Sequence, residues 1–202
     1  LSAGRGSRSA RHDFLVGLCL GGAFVFRFHL APALVIAALW RCRMQIRERW
    51  LPLLAGAAIP LLVLGIADGL AWSEPFASVV NNFRANILQG RSHVYGTSGV
   101  GWYVLQLIER WRYALPVIAL LALYGARREP LPLLVAATVV LAHSVIAHKE
   151  YRFIYPALLL IMFCAALGTG ELLHSFQQKR AGRVESQGAL LLACVAWLAS
   201  SI

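Results

Sequence analysis

Long apolar runs alternate with short polar connectors along most of the 202 residues. The runs are continuous, without a period of two residues, and several approach the roughly 20 residues of helix that cross a bilayer. In hydrocarbon an open sheet leaves backbone groups unpaired, whereas a helix satisfies them internally. The pattern therefore predicts an all-α, polytopic integral membrane protein with about six to seven transmembrane or re-entrant helices.

The apolar segments that carry this prediction lie at about 14–26, 28–40, 51–67, 102–125, 131–147, 153–172 and 188–202. Arg27 and His29 divide the first two into pieces of about 13 residues, too short for an ordinary span, so we predict a re-entrant hairpin or a pair of short helices there. No repeat or linker divides the chain, and residues 1–202 are predicted to form a single membrane domain. Because the sequence begins without methionine and stops inside an apolar run, we expect it to be a fragment.

Three short connectors, at 41–49, 125–130 and 177–183, are rich in Arg and Lys. Short loops of this kind stay on the cytoplasmic side of a membrane. If all three are inside, the segments between them cross in alternating directions. The loops at about 68–101 and about 148–152 are then both outside, and we predict that they share a face of the membrane.

The chain is 59% hydrophobic and 14% charged, with a net charge of +10. Because the basic residues cluster between apolar runs, they are explained by membrane orientation, and nucleic acid is not expected as a partner. No His, Cys and Asp cluster has metal-ligand spacing, so neither a metal nor a cofactor is expected. The cysteines form no CxxC pair and are interpreted as packing residues; they are Cys19, Cys42, Cys164 and Cys194.

The stretch "AHKEYRFIYP" at 147–156 places four ionisable side chains between two apolar runs: His148, Lys149, Glu150 and Arg152. One interpretation is a solvated turn whose cations snorkel into the headgroup region. The other is a phosphate site, in which cations hold the anion while the acid pairs with Arg152 or orients a hydroxyl. The residues alone leave both open.

Two further positions have alternative interpretations. Asp68, followed by glycine, is either a helix terminator with a turn or the start of a functional loop. Arg27, inside apolar sequence, is either a snorkelling structural residue or part of a site. The loop after Asp68 carries amides and aromatic rings of the kind that bind sugars; among them are Asn86, Tyr95, Trp102 and Tyr103.

Three pieces of the chain resemble one family. "HKEYRFIYP" resembles the HKE-x-RF-x-x-P signature of the family 22 glycosyltransferases, GT-C membrane mannosyltransferases that use a lipid-phosphate sugar donor. "DG…NNFRANILQG…SHVYGTSGVGWYV" resembles that family's outer loop, and "GAFVFRFHLAPALV" is similar to its RF-(Q/H) segment. The resemblance covers residues 15–165 and implies the carboxy-terminal part of a GT-C fold.

Position by position, the resemblance implies substrate-binding roles for Arg27, His29, Asp68, Asn86, Tyr95, Trp102, Tyr103, His148, Lys149, Glu150 and Arg152. It also implicates the matching positions Phe83, Gly96 and Phe153. His148, Lys149 and Arg152 are expected to bind the leaving phosphate, with Arg27 as a secondary candidate. Glu150 is expected to orient these cations or bind sugar hydroxyls, and Asp68 to position the acceptor loop.

The family's catalytic acid lies in an outer loop amino-terminal to this sequence. The catalytic base is therefore unknown here, and the fragment alone is expected to be inactive. One departure, "TSGVGWY" where the family has His-Pro-Trp before Trp-Tyr, leaves the acceptor open.

The activity implied is transfer of a sugar, mannose in the first place, from a polyprenyl- or dolichyl-phosphate donor to a lipid-linked or membrane-proximal acceptor. The alternatives are a transporter or non-catalytic scaffold fragment, and a GT-C transferase of another sugar such as arabinose. An Arg- and Ala-rich composition favours a multi-pass protein of a bacterial inner membrane over the endoplasmic reticulum, with the site on the periplasmic or lumenal face.

Overall fold

The computed structural model of the chain describes residues 3–179. Throughout this range the chain forms helices and turns, without a β-strand, so the all-α prediction is confirmed there. The helices are α1 (Ala3–Phe26), α2 (Ala31–Cys42), α3 (Leu51–Trp72), α4 (Ala77–Phe83), α5 (Trp102–Trp111), α6 (Ala114–Gly125), α7 (Pro130–Ser144) and α8 (Tyr155–Lys179). The predicted segment 188–202 with Cys194, and connector 177–183 beyond Lys179, lie outside the described residues.

The described chain packs as two compact units. The first contains residues 3–98 and 146–148, and the second contains residues 99–145 and 149–179. The prediction of a single membrane domain stays a prediction.

In the first unit, α1 packs along α3 through glycines. A Cβ atom on Gly17 would overlap the backbone carbonyl of Leu53, and one on Gly56 would overlap that of Phe14. Small residues of this kind let membrane helices approach backbone to backbone, which increases dispersion contacts in a solvent without a hydrophobic driving force. We call this contact the first seam.

The second unit contains an equivalent contact, the second seam, between α6 and α8. A Cβ on Gly125 would overlap the carbonyl of Cys164, and one on Gly168 would overlap that of Leu121. The buried side chains Ile118, Ala122, Cys164 and Ala165 form a cluster in this unit. Cys19, Cys42 and Cys164, the cysteines of the described range, are free thiols.

Two stretches, Ile46–Trp72 and Tyr151–Gln178, are long and apolar enough to cross a bilayer. Three other apolar helical stretches, Phe28–Cys42, Ala114–Gly125 and Pro130–Ser144, are shorter than a full span. The described chain thus has helices suited to a membrane. The number of crossings and the shared outer face stay predictions.

Three predicted boundaries differ from the structure. The break at Arg27 is present, but α1 runs for 24 residues because the polar sequence before Phe14 is helical too; the expectation of a short helix was wrong for this piece. The predicted segment 102–125 is wrong as one helix. It divides at Arg112, whose φ of 42° is left-handed, because a polar stretch containing Glu109, Arg110 and Arg112 interrupts the apolar run.

The interpretation of Asp68 as a helix terminator was also wrong, because α3 continues to Trp72. The helix ends instead at Ser73, whose φ is 62°. The outer loop predicted from residue 68 therefore begins after Trp72, and it contains α4 and two further helical turns, Arg84–Leu88 and Arg91–Tyr95.

A buried ion cluster that the sequence analysis missed holds one end of the first unit. The Asp13 side chain is fully buried and accepts hydrogen bonds from Arg41 Nε at 2.7 Å and Arg49 Nε at 3.0 Å. Burial by itself raises the pKa of Asp13, but the hydrogen bonds from Arg49 and Arg41 outweigh it and hold the pKa below its ordinary value of 3.8. The cluster joins α1, the end of α2 and the turn before α3.

Candidate functional site

Asp68 lies in the last turns of α3 and faces the start of α4. It is only 6% exposed, and its Oδ2 accepts hydrogen bonds from the backbone N–H of Ser78 at 2.9 Å and from the Ser78 hydroxyl at 2.6 Å. These donors meet the desolvation cost of the carboxylate. Asp68 thus fastens the loop that follows α3, and Ser78 is a partner that the sequence analysis did not identify.

The chain between α3 and α4 turns back onto α3. Phe76 adopts a left-handed φ of 62°, and its ring lies over Gly65, where a Cβ would be too close to it. Glycine at 65 thus provides the room that this ring occupies.

Asn86 lies in the turn Arg84–Leu88, next to α4. Its Nδ2 donates to Asn82 Oδ1 at 2.8 Å, and its backbone carbonyl accepts a hydrogen bond from the Ser92 hydroxyl at 3.2 Å. The ring of Phe83 is 46% exposed. Asn86 therefore holds together residues 82–92 of the loop, while Phe83 exposes an apolar ring.

The end of this loop meets the segment that carries His148. Ser98 N–H donates to the Ala147 carbonyl at 2.9 Å, and His148 Nδ1 lies 3.1 Å from the Gly96 carbonyl oxygen. The rings of Tyr95 and His148 are 5.9 Å apart. Three predicted site residues, Tyr95, Gly96 and His148, are therefore brought together within the first unit.

Arg27 and His29 lie at the break between α1 and α2. Arg27 is non-helical, with φ −150° and ψ 81°, and both side chains are half-buried. The His29 ring stacks against Phe28 at 3.9 Å. Helix α1 ends at Phe26, so Arg27 lies at a helix end and not inside a continuous apolar helix.

In the second unit, Glu150 and Arg152 form a two-point ion pair. Arg152 Nε lies 2.5 Å from Glu150 Oε2, and a second guanidinium nitrogen donates to Glu150 Oε1 at 3.0 Å. The Glu150 side chain is 34% exposed and the Arg152 side chain is 64% exposed. The expected pairing of the acid with Arg152 is thus present in a form accessible to a ligand.

Tyr103 and Trp102 begin α5 and pack edge to face, with ring centroids 5.1 Å apart. Tyr103 is fully buried, and its hydroxyl lies 3.3 Å from the backbone carbonyl oxygen of Glu150. Tyr103 is therefore placed to hold the main chain at Glu150, and Trp102 is half-buried beside it.

Lys149, directly before the ion pair, is 8% exposed. Burial lowers the pKa of its ammonium group below the ordinary 10.5, because removing a charge from water disfavours the ionised form. An anion bound beside this ammonium would offset that cost. The role of Lys149 as a phosphate ligand stays a prediction.

An aromatic layer adjoins the ion pair, and of its members Phe153 was among the residues that the family resemblance implied. The Arg110 guanidinium lies 4.4 Å from the centre of the Tyr151 ring, and Tyr151 packs edge to face on Tyr155 at 5.7 Å. The ring centroids of Phe153 and buried His143 are 6.0 Å apart. The alternation of aromatic and charged residues in "EYRFIY" is the sequence signal for this layer, while the contribution of Arg110 depends on the tertiary fold.

Residues 3–179 contain no group of three or more His, Cys, Asp or Glu side chains arranged to hold a metal ion. Apart from Arg27 and His29 at the break between α1 and α2, the predicted substrate-binding residues form two sets. Within the first unit, Tyr95, Gly96 and His148 come together, and Asp68 and Asn86 fasten the preceding loop. Within the second unit, Trp102 and Tyr103 adjoin the turn with Lys149, Glu150 and Arg152.

Comparison with known proteins assigns this chain to a family. The sequence profile described as "Alg9-like mannosyltransferase family" matches residues 5–202. GPI mannosyltransferase 3 of Yarrowia lipolytica is 32% identical over 128 residues, which cover 60% of this chain and 24% of that protein. No solved structure matches the chain.

Two other relatives show the same extent of similarity. GPI alpha-1,2-mannosyltransferase 3 of Danio rerio is 30% identical over 66% of this chain and 24% of its own length. Dol-P-Man:Man(7)GlcNAc(2)-PP-Dol alpha-1,6-mannosyltransferase of Saccharomyces cerevisiae is 28% identical over 62% and 22%. The chain therefore spans about a quarter of the length of these relatives. The preference for a bacterial inner membrane finds no support in these relatives, which come from two yeasts and a fish. It rested on amino-acid composition, which reflects genome bias as well as cellular location.

Proposed function

Because the chain belongs to the Alg9-like mannosyltransferase family, we propose that it is part of a membrane enzyme that transfers mannose from a polyprenyl- or dolichyl-phosphate donor. The acceptor is a lipid-linked or membrane-proximal hydroxyl. The named activities of the relatives support mannose as the sugar, and the yeast relative is named for a dolichyl-phosphate mannose donor. The ion pair of Glu150 and Arg152 beside buried Lys149 is the observation that carries the proposal.

We assign the donor phosphate to the cations of the turn. During transfer, the bond between the sugar C1 and the phosphate oxygen breaks, and charge builds on the phosphate. Lys149 supplies a positive charge with few competing water molecules, and Arg152 supplies a planar fork suited to phosphate oxygens. Glu150 holds that fork in orientation until the phosphate shares it.

The first unit contributes to the proposal through the loop that Asp68 fastens. His148 adds a polar ring beside Tyr95, while Asn86 and the exposed ring of Phe83 offer the amide and apolar surfaces that bind sugars. Arg27 is kept as a secondary phosphate ligand, with His29 beside it. Asp68 is assigned to positioning, since its Oδ2 already accepts two hydrogen bonds from Ser78.

The acceptor hydroxyl must lose its proton to a carboxylate as its oxygen bonds to C1. Asp13 is unsuitable, because Arg41 and Arg49 lower its pKa and occupy its oxygens. No described residue is assigned as this base.

A matched pair of variants tests the assignment in the complete protein that contains this chain. Glu150 and Glu171 each pair with an arginine, and each side chain is 34% exposed. Glu150→Gln is expected to lower transfer of mannose from polyprenyl-phosphate mannose about 10- to 100-fold, because loss of one positioned interaction costs about 1.4 to 2.7 kcal/mol in the barrier. Glu171→Gln is expected to retain wild-type activity. Equal activity in both variants would contradict the site, and absence of transfer by the wild type with any lipid-phosphate sugar would contradict the class.

A pH series tests Lys149 separately. Since its lowered pKa makes the ammonium deprotonate earlier than an ordinary lysine, the KM for the donor is expected to rise as pH rises through that pKa. Lys149→Arg, which stays charged, is expected to remove this dependence, and Lys149→Ala is expected to raise KM at pH values below that pKa and to approach the wild-type KM above it. A wild-type alkaline limb that persists unchanged in Lys149→Arg would exclude Lys149 as its source.

A further inference from the structure

The turn between α2 and α3 has cations that the buried cluster does not use. Asp13 binds Arg41 and Arg49, whereas residues 43–48 between them are all exposed. Among the residues that the structure describes, the side chains of Arg43 and Arg47 have no carboxylate partner. The turn retains a net positive charge even with Glu48 exposed beside Arg47.

This turn has a defined backbone. Arg43 N–H donates to the Leu39 carbonyl at 2.8 Å, and Gln45 N–H donates to the Cys42 carbonyl at 3.1 Å. The Trp50 indole N–H donates to the Arg43 carbonyl at 2.9 Å. The backbone that carries Arg43 and Arg47 is therefore ordered before any partner binds, which reduces the entropy lost on binding.

Apolar side chains alternate with these cations. Met44 is 89% exposed and Ile46 is 68% exposed. Ile46 is also the first residue of the stretch Ile46–Trp72, which is long and apolar enough to cross a bilayer. The exposed apolar atoms thus continue directly into a candidate membrane span, so hydrocarbon is the environment that suits them.

We propose that the 43–48 turn is a binding site for anionic phospholipid, in which Arg43 and Arg47 contact headgroup phosphates while Met44 and Ile46 enter the acyl region. Guanidinium groups bind phosphate oxygens through paired hydrogen bonds, and apolar residues interleaved with basic ones are typical of segments that lie in a membrane interface. The Asp13 cluster contributes by holding Arg41 and Arg49, so that both ends of the turn are fixed. The site is independent of the proposed transferase activity.

The test uses the complete protein that contains this chain and measures the mole fraction of phosphatidylglycerol that half-maximally raises its melting temperature in mixed micelles of detergent and phosphatidylcholine. A basic residue near an anionic surface contributes about 1 kcal/mol, which is about five-fold in affinity. Arg43→Gln/Arg47→Gln is therefore expected to need about 25-fold more phosphatidylglycerol. Arg91→Gln/Arg112→Gln removes the same charge from two other exposed arginines and is expected to match the wild type. Inorganic phosphate and a soluble heparin fragment are tested in parallel.

Each result decides the proposal. Selective loss in the Arg43/Arg47 variant, together with a weak response to inorganic phosphate and heparin, supports it. Equal weakening in both double variants would overturn it in favour of net charge. An equal response to inorganic phosphate or heparin, or no preference for phosphatidylglycerol in the wild type, would also overturn it. If the Arg43→Gln/Arg47→Gln variant is already unfolded without lipid, the variant Arg43→Lys/Arg47→Lys/Met44→Ser/Ile46→Ser replaces it. Wild-type affinity for phosphatidylglycerol in that variant would contradict the proposed insertion of Met44 and Ile46 into the acyl region.

Discussion

Helices α1 and α3 of the first unit and helices α6 and α8 of the second unit meet through glycines that leave no room for a Cβ atom. The units differ in their carboxylates. Asp13 is fully buried and held by two arginines, whereas Glu150 and Glu171 are partly exposed and each pairs with one exposed arginine. A buried ion pair that loses a partner leaves an unsolvated charge, while an exposed pair can exchange its partner for water or a ligand.

The comparison indicates that burial decides what an ion pair can do here. The Asp13 cluster is suited to holding three segments of the first unit together. The Glu150 and Arg152 pair is suited to opening toward a phosphate.

The largest effect is expected from adding one methyl group to a seam. Gly17→Ala in the first unit and Gly168→Ala in the second place a Cβ against a backbone carbonyl, so the helices must separate. Each is expected to destabilise the chain by about 3 kcal/mol or more. The measurement is thermal unfolding in detergent, followed by circular dichroism.

Two glycines provide matched controls for the seams. Gly22 in α1 and Gly170 in α8 have no atom within 4 Å of an added Cβ. Gly22→Ala and Gly170→Ala are expected to leave stability unchanged or to raise it by up to about 1 kcal/mol, because alanine favours helix. If the seam and control variants melted alike, close backbone contact would not be what joins these helices.

Asp13→Asn is expected to have the next largest effect. It leaves Arg41 and Arg49 without a buried counter-charge, and we expect a loss of about 2 to 3 kcal/mol, below that of a fully buried pair because both arginines reach solvent. Glu171→Gln, at the exposed pair with Arg128, is expected to unfold at the wild-type temperature. A similar loss in both variants would show that burial does not separate the two kinds of pair.

Acid is expected to weaken the first unit specifically. Because the pKa of Asp13 is lower in the folded chain than its ordinary 3.8, its stabilisation is complete above about 3.8 and is lost as pH falls through the folded pKa. The wild type is thus expected to lose stability in this range by more than Asp13→Asn does. Parallel pH profiles for the two proteins would rule out Asp13 as the titrating group.

The smallest effect is expected at Tyr103. Tyr103→Phe removes the long hydrogen bond to the Glu150 carbonyl but retains the buried ring, so a loss of about 0.5 to 1 kcal/mol in stability is expected. If this bond positions Glu150, the KM for the donor should rise in Tyr103→Phe even at temperatures where the variant is fully folded. Tyr113→Phe, at a side chain that is 92% exposed, should change neither KM nor stability. Unaltered KM in Tyr103→Phe would limit the hydrogen bond to a structural role.

Local sequence patterns were sufficient for the features that depend on composition and period. Apolar runs predicted most helices, and Arg27 with His29 located the break between α1 and α2. The same reasoning joined α5 to α6, because the run 102–125 looked continuous although Glu109, Arg110 and Arg112 lie inside it. A local rule for Asp68 followed by glycine likewise ended α3 too early.

The contacts that the sequence analysis missed share a physical cause, which is pairing over long sequence distances. Ser78 satisfies Asp68 from ten residues away, and Arg41 and Arg49 satisfy Asp13 from 28 and 36 residues away. The spacing of apolar residues along the chain carries no information about such contacts. The family resemblance pointed to the "HKEYRF" turn and to Tyr103, but it did not indicate that Arg110 would adjoin the turn.

The hydrogen bonds between Asp68 and Ser78 also have an entropic consequence. They join the last turns of α3, where Leu70 and Trp72 are 84% and 66% exposed, to the start of α4, and so close the turn between these two helices. A loop fixed during folding has already lost the conformational freedom that binding would otherwise remove. Loosening the turn through Ser78→Ala should therefore raise its conformational freedom, which faster amide hydrogen exchange at residues 73–78 would report.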